Sequence, residues 1–275
     1  MNEPTTGRNA DVEGANVSHL SGYDKWMVDP LHAEFFGHSD YYNYGYSENE
    51  TDTQRQACEN LVEKLLEFIP EKSGTILDVA CGLGASTRHL LNYYPPADVT
   101  AINISDLQLE RAKQNAPGCS FLNMDAAQLD FPDASFDNIV CVESAFHFIT
   151  REQFLREAFR VLKPGGRLVL SDILGWLTKP KAANYLTGPA AYSELLAKVG
   201  FDSPYVLDAT RECSRSCGRR LRRWPAQAWR AGSLRFHEYV QAWLVGHLYS
   251  FYMRRSQRYY LVCWAQKPIG NVQSV

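Results

Sequence analysis

A chain of 275 residues can form one sizeable α/β domain with an appended lid, and its net charge of −3 and pI near 6.2 argue against a dedicated nucleic-acid-binding protein. The seven cysteines, an odd number scattered along the chain, do not form a disulfide framework and predict reduced thiols in a cytoplasmic protein. No apolar run is long enough to span a bilayer, and the polar N-terminus does not resemble a signal peptide, so we expect no membrane partner.

The N-terminal region, residues 1–50, is predicted to be a loose tail followed by an aromatic cap. Its polar start predicts little order, whereas aromatic side chains are dense between Tyr23 and Tyr46. These rings either line the site or only pack the cap onto the core. The next segment, 53–69, has apolar residues at helical spacing and is followed by Pro70, which predicts an amphipathic helix against one face of a sheet.

The stretch Thr75–Leu90 organises the rest of the chain. It begins with an apolar, β-branched run of the kind that a central parallel strand buried on both faces requires. Asp78 lies at the carboxyl end of this strand, and Gly82 and Gly84 follow it. Glycines allow the backbone to approach a ligand closely, and ligands of open α/β sheets bind outside the carboxyl ends of the strands. The stretch therefore predicts a strand, a ligand-binding turn and a helix that starts near Ala85.

Three further strands are predicted to end at the same edge of the sheet. Strand 2 covers 98–105, and Ser105 or Asp106 is predicted to cap the next helix, which has Gln108 in its first turn. Strand 3 covers 119–126. Strand 4, NIVCV, leads directly into Glu143–Phe148.

The remainder of the chain continues the alternation of helices and strands. A helix over 150–162, with Thr150 as its N-cap, is followed by a turn at Lys163–Gly166 and by strand 5, which runs to Asp172. A helix that ends at Gly200 precedes strand 6, YVLDAT. Residues 211–257 form a long aromatic insertion that we interpret as a helical lid over an apolar substrate. Residues 258–275 are predicted to be the closing strand and tail.

The series of motifs resembles the class I S-adenosylmethionine-dependent methyltransferases, in particular members acting on natural products. The resemblance rests on the glycine-rich turn, on Asp125–Ala126, on the run FPDASFD and on LKPGG. It implies an α/β Rossmann-like core over 51–210 with a seven-stranded sheet of order 3-2-1-4-5-7-6. The last strand is antiparallel, and the lid is inserted between strands 6 and 7.

The resemblance also implies which residues hold S-adenosylmethionine and its product S-adenosylhomocysteine. Ala80 replaces the first family glycine, and Asn103 replaces the acidic residue that usually binds the ribose; an amide can accept one hydroxyl hydrogen bond and donate another. Asp125 and the backbone of Ala126 are expected to bind the adenine. The complete predicted cofactor set is Tyr44, Asp78, Ala80, Gly82, Gly84, Asn103, Ile104, Gln108, Asp125, Ala126 and Glu143.

The predicted catalytic residues are His147, Asp172 and Glu143. His147 is the candidate general base, since the ordinary pKa of an imidazole suits deprotonation of a hydroxyl near neutral pH. Asp172 is expected to pair with the imidazole or to bind a substrate hydroxyl, and Glu143 to position the cofactor, orient the histidine or act as the base.

These residues predict O-methylation of a small, largely apolar natural product. The alternatives are carbon or nitrogen methylation, with rings from Trp176, Phe146 and Tyr44 supporting cationic charge, and a non-catalytic binding protein. We expect no metal site and no nucleic-acid substrate. The arginine cluster between Arg215 and Arg223 is either a contact for a carrier protein or a phosphate, or a solvated basic face. The sequence does not predict an oligomeric state.

Overall fold

The computed structural model describes residues 29–49, 52–175 and 183–269. Tyr23, Trp26 and Trp176, and the tail predicted at each terminus, lie outside these residues. The described chain forms a seven-stranded sheet in the order β3-β2-β1-β4-β5-β7-β6, in which β7 is antiparallel to both of its neighbours. The predicted order and the antiparallel last strand are confirmed.

The strands follow the predicted segments closely. Their bounds are Ile76–Val79 for β1, Val99–Asn103 for β2, Ser120–Asn123 for β3, Phe136–Val142 for β4, Leu162–Gly175 for β5, Asp202–Asp208 for β6 and Gln257–Gln266 for β7. One difference concerns the expected turn at Lys163–Gly166, which is an irregular start of β5, since the pairing with β4 shifts register there. Residues of β1 are buried throughout, as expected of a central strand covered on both faces.

Eight α-helices connect and cover the strands of the described chain. They are α1 at Pro30–Phe35, α2 at Gln54–Leu66, α3 at Ala85–Leu90, α4 at Asp106–Asn115, α5 at Arg151–Val161, α6 at Pro189–Val199, α7 at Ser216–Arg230 and α8 at Phe236–Ser256. The predicted caps are present: the Ser105 hydroxyl accepts from the Gln108 N–H, and the Thr150 hydroxyl accepts from the Gln153 N–H. Each accepts one of the N–H groups that a helix start leaves unpaired.

The insertion between β6 and β7 is helical, as its sequence suggests. A π-helical turn, Arg211–Arg215, leads into α7, and α8 returns to β7. The insertion packs against the aromatic cap, where the rings of Phe35 and Trp224 meet edge to face at 5.4 Å. Along its other side α8 exposes several large apolar side chains, among them Trp243, Leu248 and Phe251. In the described part of the chain, no helix combines the length and hydrophobicity needed to cross a bilayer.

Candidate active site

The turn after β1 places its backbone at the carboxyl edge of the sheet. Ala80, Gly82 and Gly84 all have positive φ, at 58°, 55° and 80°. Ala80 and Gly82 line a cavity. Gly84 is not part of this lining, and a Cβ at this position would lie 2.7 Å from the Cα and Cβ of Ala112 on α4. This glycine therefore serves close packing between α3 and α4, and its contact with the cofactor stays a prediction.

Asp78 lies behind this turn and is almost completely buried. Its Oδ2 accepts hydrogen bonds from the Ser86 hydroxyl at 2.8 Å and from the Thr87 hydroxyl at 2.7 Å. Burial raises the pKa of its carboxyl to about 6, against the lowering effect of these two hydrogen bonds. Its Oδ1 is buried without a hydrogen-bond donor among the described residues. The carboxylate thus ties the start of α3 to β1 and retains one unused acceptor, although it does not itself line the cavity.

An amide pair stands where the ribose of the cofactor is expected. The Asn103 Nδ2 donates to the Gln108 Oε1 at 2.8 Å, and both side chains are buried and line the cavity. This bond uses one N–H of the Asn103 amide, and the amide oxygen can accept from a sugar hydroxyl. The sequence placed both residues near the cofactor, but their mutual hydrogen bond follows only from the fold.

The adenine region predicted from the sequence forms a neighbouring wall. Asp125, Ala126 and Ile104 line the cavity together with Met124. The Asp125 Oδ1 accepts from the Ala127 N–H at 2.8 Å, which holds the carboxylate in place. Its other oxygen is available to accept from an exocyclic amine, and Met124 and Ile104 offer apolar surface to a flat ring.

Glu143 closes β4 with a left-handed backbone, φ 52°. Its Oε2 accepts from the Tyr260 hydroxyl at 2.6 Å and from the Tyr44 N–H at 2.7 Å, while its own N–H donates to the Ser171 hydroxyl at 2.9 Å. Burial raises the pKa of the Glu143 carboxyl to about 8 despite the two hydrogen bonds that oppose the shift. Tyr44 does not line the cavity, so its position in the site is that of a backbone support for Glu143, which differs from the predicted ring contact.

His147 ends a single 3₁₀ turn, Ala145–His147, and is exposed at the mouth of the same cavity. Its ring lies 3.9 Å from the ring of Phe146, measured between centroids. Phe148 and Ile149 continue this wall, so the imidazole borders an apolar region. A histidine in this place is open to a substrate and is held against an aromatic neighbour.

Asp172 occupies a different place from the one predicted. Its Oδ2 accepts from the Arg151 Nε at 2.6 Å and its Oδ1 from the Arg151 Nη2 at 3.3 Å. Both side chains are buried, with exposed fractions of 5% for Arg151 and 0% for Asp172. The carboxylate pairs with this guanidinium and not with the imidazole of His147, and it does not line the cavity. We therefore leave Asp172 out of the catalytic set. Arg151 was not identified from the sequence, since an arginine at the start of an amphipathic helix usually faces solvent.

Most of the predicted site residues line one continuous cavity of about 700 Å³, a volume within the range of ligand sites. The predicted residues that line it are Ala80, Gly82, Asn103, Ile104, Gln108, Asp125, Ala126, Glu143 and His147. Sequence reasoning did not assign Asp40, Cys81 or Ser105 to this wall, which they also form. No residue of the insertion 211–257 belongs to the described lining, so its role as a lid remains a prediction.

The arginine cluster between Arg215 and Arg223 contains one residue, Arg220, with a clear structural role. Arg220 is buried and donates to the Gln54 side chain at 2.8 Å, to the Ser216 hydroxyl at 2.7 Å and to the Tyr44 carbonyl at 2.8 Å. It is a structural residue that joins α7 to the cap. Across the described ranges, no group of histidine, cysteine and carboxylate side chains is arranged to hold a metal ion.

Comparison with known proteins identifies relatives of this chain. Residues 77–170 match the methyltransferase domain family. The chain is 36% identical over 162 residues to 27-O-demethylrifamycin SV methyltransferase of Amycolatopsis mediterranei, with 56% of this chain and 57% of that protein covered. It is 32% identical over 196 residues to the O-methyltransferase cnsE of Penicillium expansum, with 64% and 71% covered. The chain spans little more than half the length of several curated relatives that it matches.

Among solved structures, the [4+2]-cyclase SpnF superposes with a TM-score of 0.67 at 22% identity, over 89% of this chain and 93% of that one. At this level of identity the likeness concerns the fold alone, and similar folds carry different reactions.

Proposed function

The chain belongs to the class I S-adenosylmethionine-dependent methyltransferases, and on this premise we propose that it methylates a hydroxyl oxygen of a small, largely apolar natural product. The observation that carries the proposal is the shared cavity. The amide pair, the Asp125–Ala126 wall, Glu143 and His147 all border the same space of about 700 Å³. A cofactor and an acceptor held there are brought together, and such positioning is itself a large part of the acceleration of a two-substrate reaction.

The residues of the cavity fit S-adenosylmethionine by their chemistry. Asn103 and Gln108 are suited to the ribose hydroxyls, Asp125 to the exocyclic amine, and Ala80 and Gly82 to close approach of the backbone. Asp78 supplies a buried carboxylate oxygen without a donor directly behind the turn. When bound, the cofactor supplies an electrophilic methyl group on a positively charged sulfur.

The histidine is the group best suited to take the proton of the acceptor hydroxyl. If the hydroxyl oxygen took the methyl group, the carbon–sulfur bond of the cofactor would break with its electron pair left on sulfur, and an imidazole nitrogen of His147 would receive the hydroxyl proton. Glu143 is less suited to this task, because burial raises the pKa of its carboxyl to about 8 and keeps it largely protonated near pH 7. Glu143 instead supports the cap through the Tyr44 N–H. Phe146, Phe148 and Ile149 provide the apolar wall for the acceptor.

Replacing His147 by Ala tests the proposal. We expect turnover at saturating substrates to fall by about two to four orders of magnitude, the usual contribution of a general base. S-Adenosylhomocysteine formation with a hydroxylated acceptor measures turnover, and calorimetric titration with S-adenosylmethionine measures cofactor binding. Cofactor affinity should stay within a few-fold of the parent.

His237→Ala is the matched control, because His237 is an exposed histidine on α8 outside the described cavity lining. Turnover of His147→Ala equal to that of this control would remove His147 as the base. Methyl transfer to carbon or nitrogen acceptors only would favour the alternative reactions. Cofactor binding without product from any acceptor would favour a binding protein.

A further inference from the structure

A second cavity, of about 270 Å³, lies where α8 ends and β7 begins, against the π-helical turn that opens the insertion. Its walls contain Thr210, Ser214, Arg215, Arg254, Gln257 and Arg258. Three guanidinium groups from three different elements therefore border one small space. Only Arg215 belongs to the basic cluster that is visible in the sequence; Arg254 lies near the end of α8, and Arg258 lies at the start of β7.

Two of the three guanidinium groups at this cavity lack a carboxylate partner among the described residues. Neither Arg215 nor Arg254 forms an ion pair with a carboxylate of the described residues, although such pairs are frequent elsewhere on the molecule. Arg254 complements the carboxyl end of α8, but Arg215 lies on another element, so the helix dipole of α8 does not explain its position. Guanidinium groups gathered around a confined space repel one another unless an anion lies between them.

Two polar groups of the same cavity lack partners. Ser214 is 6% exposed, and its hydroxyl has no hydrogen-bond partner in the described chain. The Oε1 of Gln257 is also buried without a partner, while its Nε2 donates to the Tyr44 hydroxyl at 2.6 Å. Turning this amide by 180° keeps the bond to Tyr44, with the hydroxyl as donor, and places N–H₂ at the position of the unpartnered oxygen. Unsatisfied buried groups of this kind are costly, so a ligand that accepts hydrogen bonds would stabilise the site.

We propose that this second cavity binds the phosphate group of a phosphorylated ligand. Guanidinium groups match phosphate oxygens through paired N–H donors, and the Ser214 hydroxyl adds a further donor. The space accommodates a phosphate with a short substituent, and it is separate from the cavity of the proposed methyl transfer. Gln257 connects the two regions, because Tyr44, which it contacts, also donates its N–H to Glu143.

Binding of inorganic phosphate to the full chain tests the proposal without any need for methyl transfer. Calorimetric titration at constant ionic strength should show saturable binding, and the double variant Arg215→Gln/Arg254→Gln should bind at least about tenfold more weakly, the loss expected when charged hydrogen bonds are removed. Arg255→Gln is the matched control, since Arg255 follows Arg254 on α8 but does not line the cavity. It should bind phosphate like the parent.

Ser214→Ala separates ligand binding from a structural role. The free energy of unfolding without phosphate should not fall, because the hydroxyl has no partner to lose, whereas phosphate affinity should fall several-fold. Titrations with glycerol 3-phosphate and with 4′-phosphopantetheine distinguish the sources of the phosphate, and tighter binding of either identifies an ester as the ligand. Absence of saturable binding of all three probes, or equal weakening in Arg255→Gln, would overturn the proposal.

Discussion

Three residues other than glycine have left-handed backbone in the wall of the cavity: Asp40, Ala80 and Glu143. Ala80 has φ 58° and Glu143 has φ 52°, and both follow a central strand directly. Such conformations cost about 1–3 kcal/mol each and persist where the surroundings impose them. At Glu143 the surroundings are identifiable: hydrogen bonds from Tyr44 and Tyr260 hold the carboxylate, and Ser171 accepts from the backbone. The strain therefore belongs to the site and not to a loose loop.

The Glu143 carboxyl makes stability depend on pH. Its pKa is raised to about 8 in the folded chain, from 4.5 ordinarily, so the folded state holds the proton over this interval while the unfolded state releases it. The free energy of unfolding should therefore fall as pH rises from about 5 to 8, by at most about 4 kcal/mol from this group. In Glu143→Gln this part of the decline should disappear. Urea unfolding at pH 5, 6, 7 and 8 measures it.

The exposed Glu194 provides the control, and Glu194→Gln should keep the slope of the parent. A smaller decline up to about pH 6 should survive in Glu143→Gln, because burial also raises the pKa of Asp78. Parallel pH profiles for the parent and Glu143→Gln would mean that Glu143 is ionised in the folded chain at neutral pH.

The helices α3 and α4 illustrate packing between elements. Gly84 caps α3 at φ 80°, and its missing side chain lets α4 approach at Ala112. The two helices flank the predicted nucleotide wall, since α3 begins directly after the glycine-rich turn and α4 carries Gln108. Their separation thus affects the shape of the cavity although Gly84 does not border it.

Gly84→Ala and Gly232→Ala form a matched pair that measures this packing. Both glycines have φ 80°, but a Cβ at Gly232 would meet no atom within 4 Å, whereas at Gly84 it would meet Ala112. Gly232→Ala should lose about 1–2 kcal/mol from the backbone conformation, and Gly84→Ala about 1–3 kcal/mol more from the steric conflict. Chemical denaturation measures both. Equal losses would show that α3 and α4 separate at little cost.

Across the whole molecule, the Arg151–Asp172 pair joins the central sheet to the surrounding helices. Arg151 begins α5, Asp172 lies on β5, and the guanidinium also donates to the Asn184 carbonyl at 2.7 Å, in the segment before α6. The Asn184 side chain in turn donates to the Phe148 carbonyl at 2.7 Å, next to His147. The network therefore supports the wall of the cavity from behind.

Arg151→Met should destabilise the chain by about 3–5 kcal/mol, because it leaves the buried Asp172 carboxylate without its cation. Arg156→Met, on the same helix in an exposed pair with Glu152, should cost less than about 1 kcal/mol. Thermal and urea unfolding measure both. The double variant Arg151→Met/Asp172→Asn should recover part of the loss, since no charge is then buried. Equal stability of Arg151→Met and Arg156→Met would contradict the account.

Much of the architecture could be predicted from local patterns. Apolar runs of strand length, caps such as Ser105 and Thr150 and the glycine-rich turn are properties of neighbouring residues, and the family resemblance supplied the strand order that the sheet confirms. The carboxyl ends of parallel strands meet at one edge, so residues that follow β1, β2, β3 and β4 are brought together wherever the strands lie side by side. Asn103, Gln108, Asp125, Glu143 and His147 reach the cavity for this reason.

The hydrogen-bond partners of the buried polar groups, in contrast, depend on the tertiary structure. Asp172 meets Arg151 across 21 residues, Glu143 meets Tyr44 across 99, and Gln257 meets Tyr44 across 213. A local pattern shows whether a position is buried. Which donor reaches a buried acceptor depends on how elements distant in the sequence pack together, so the partner of a buried charge cannot be read from its neighbours in the chain. The pairing of Asp172 with Arg151 and the packing of Gly84 against Ala112 therefore follow from the tertiary structure. Three arginines from separate elements came to share one small cavity.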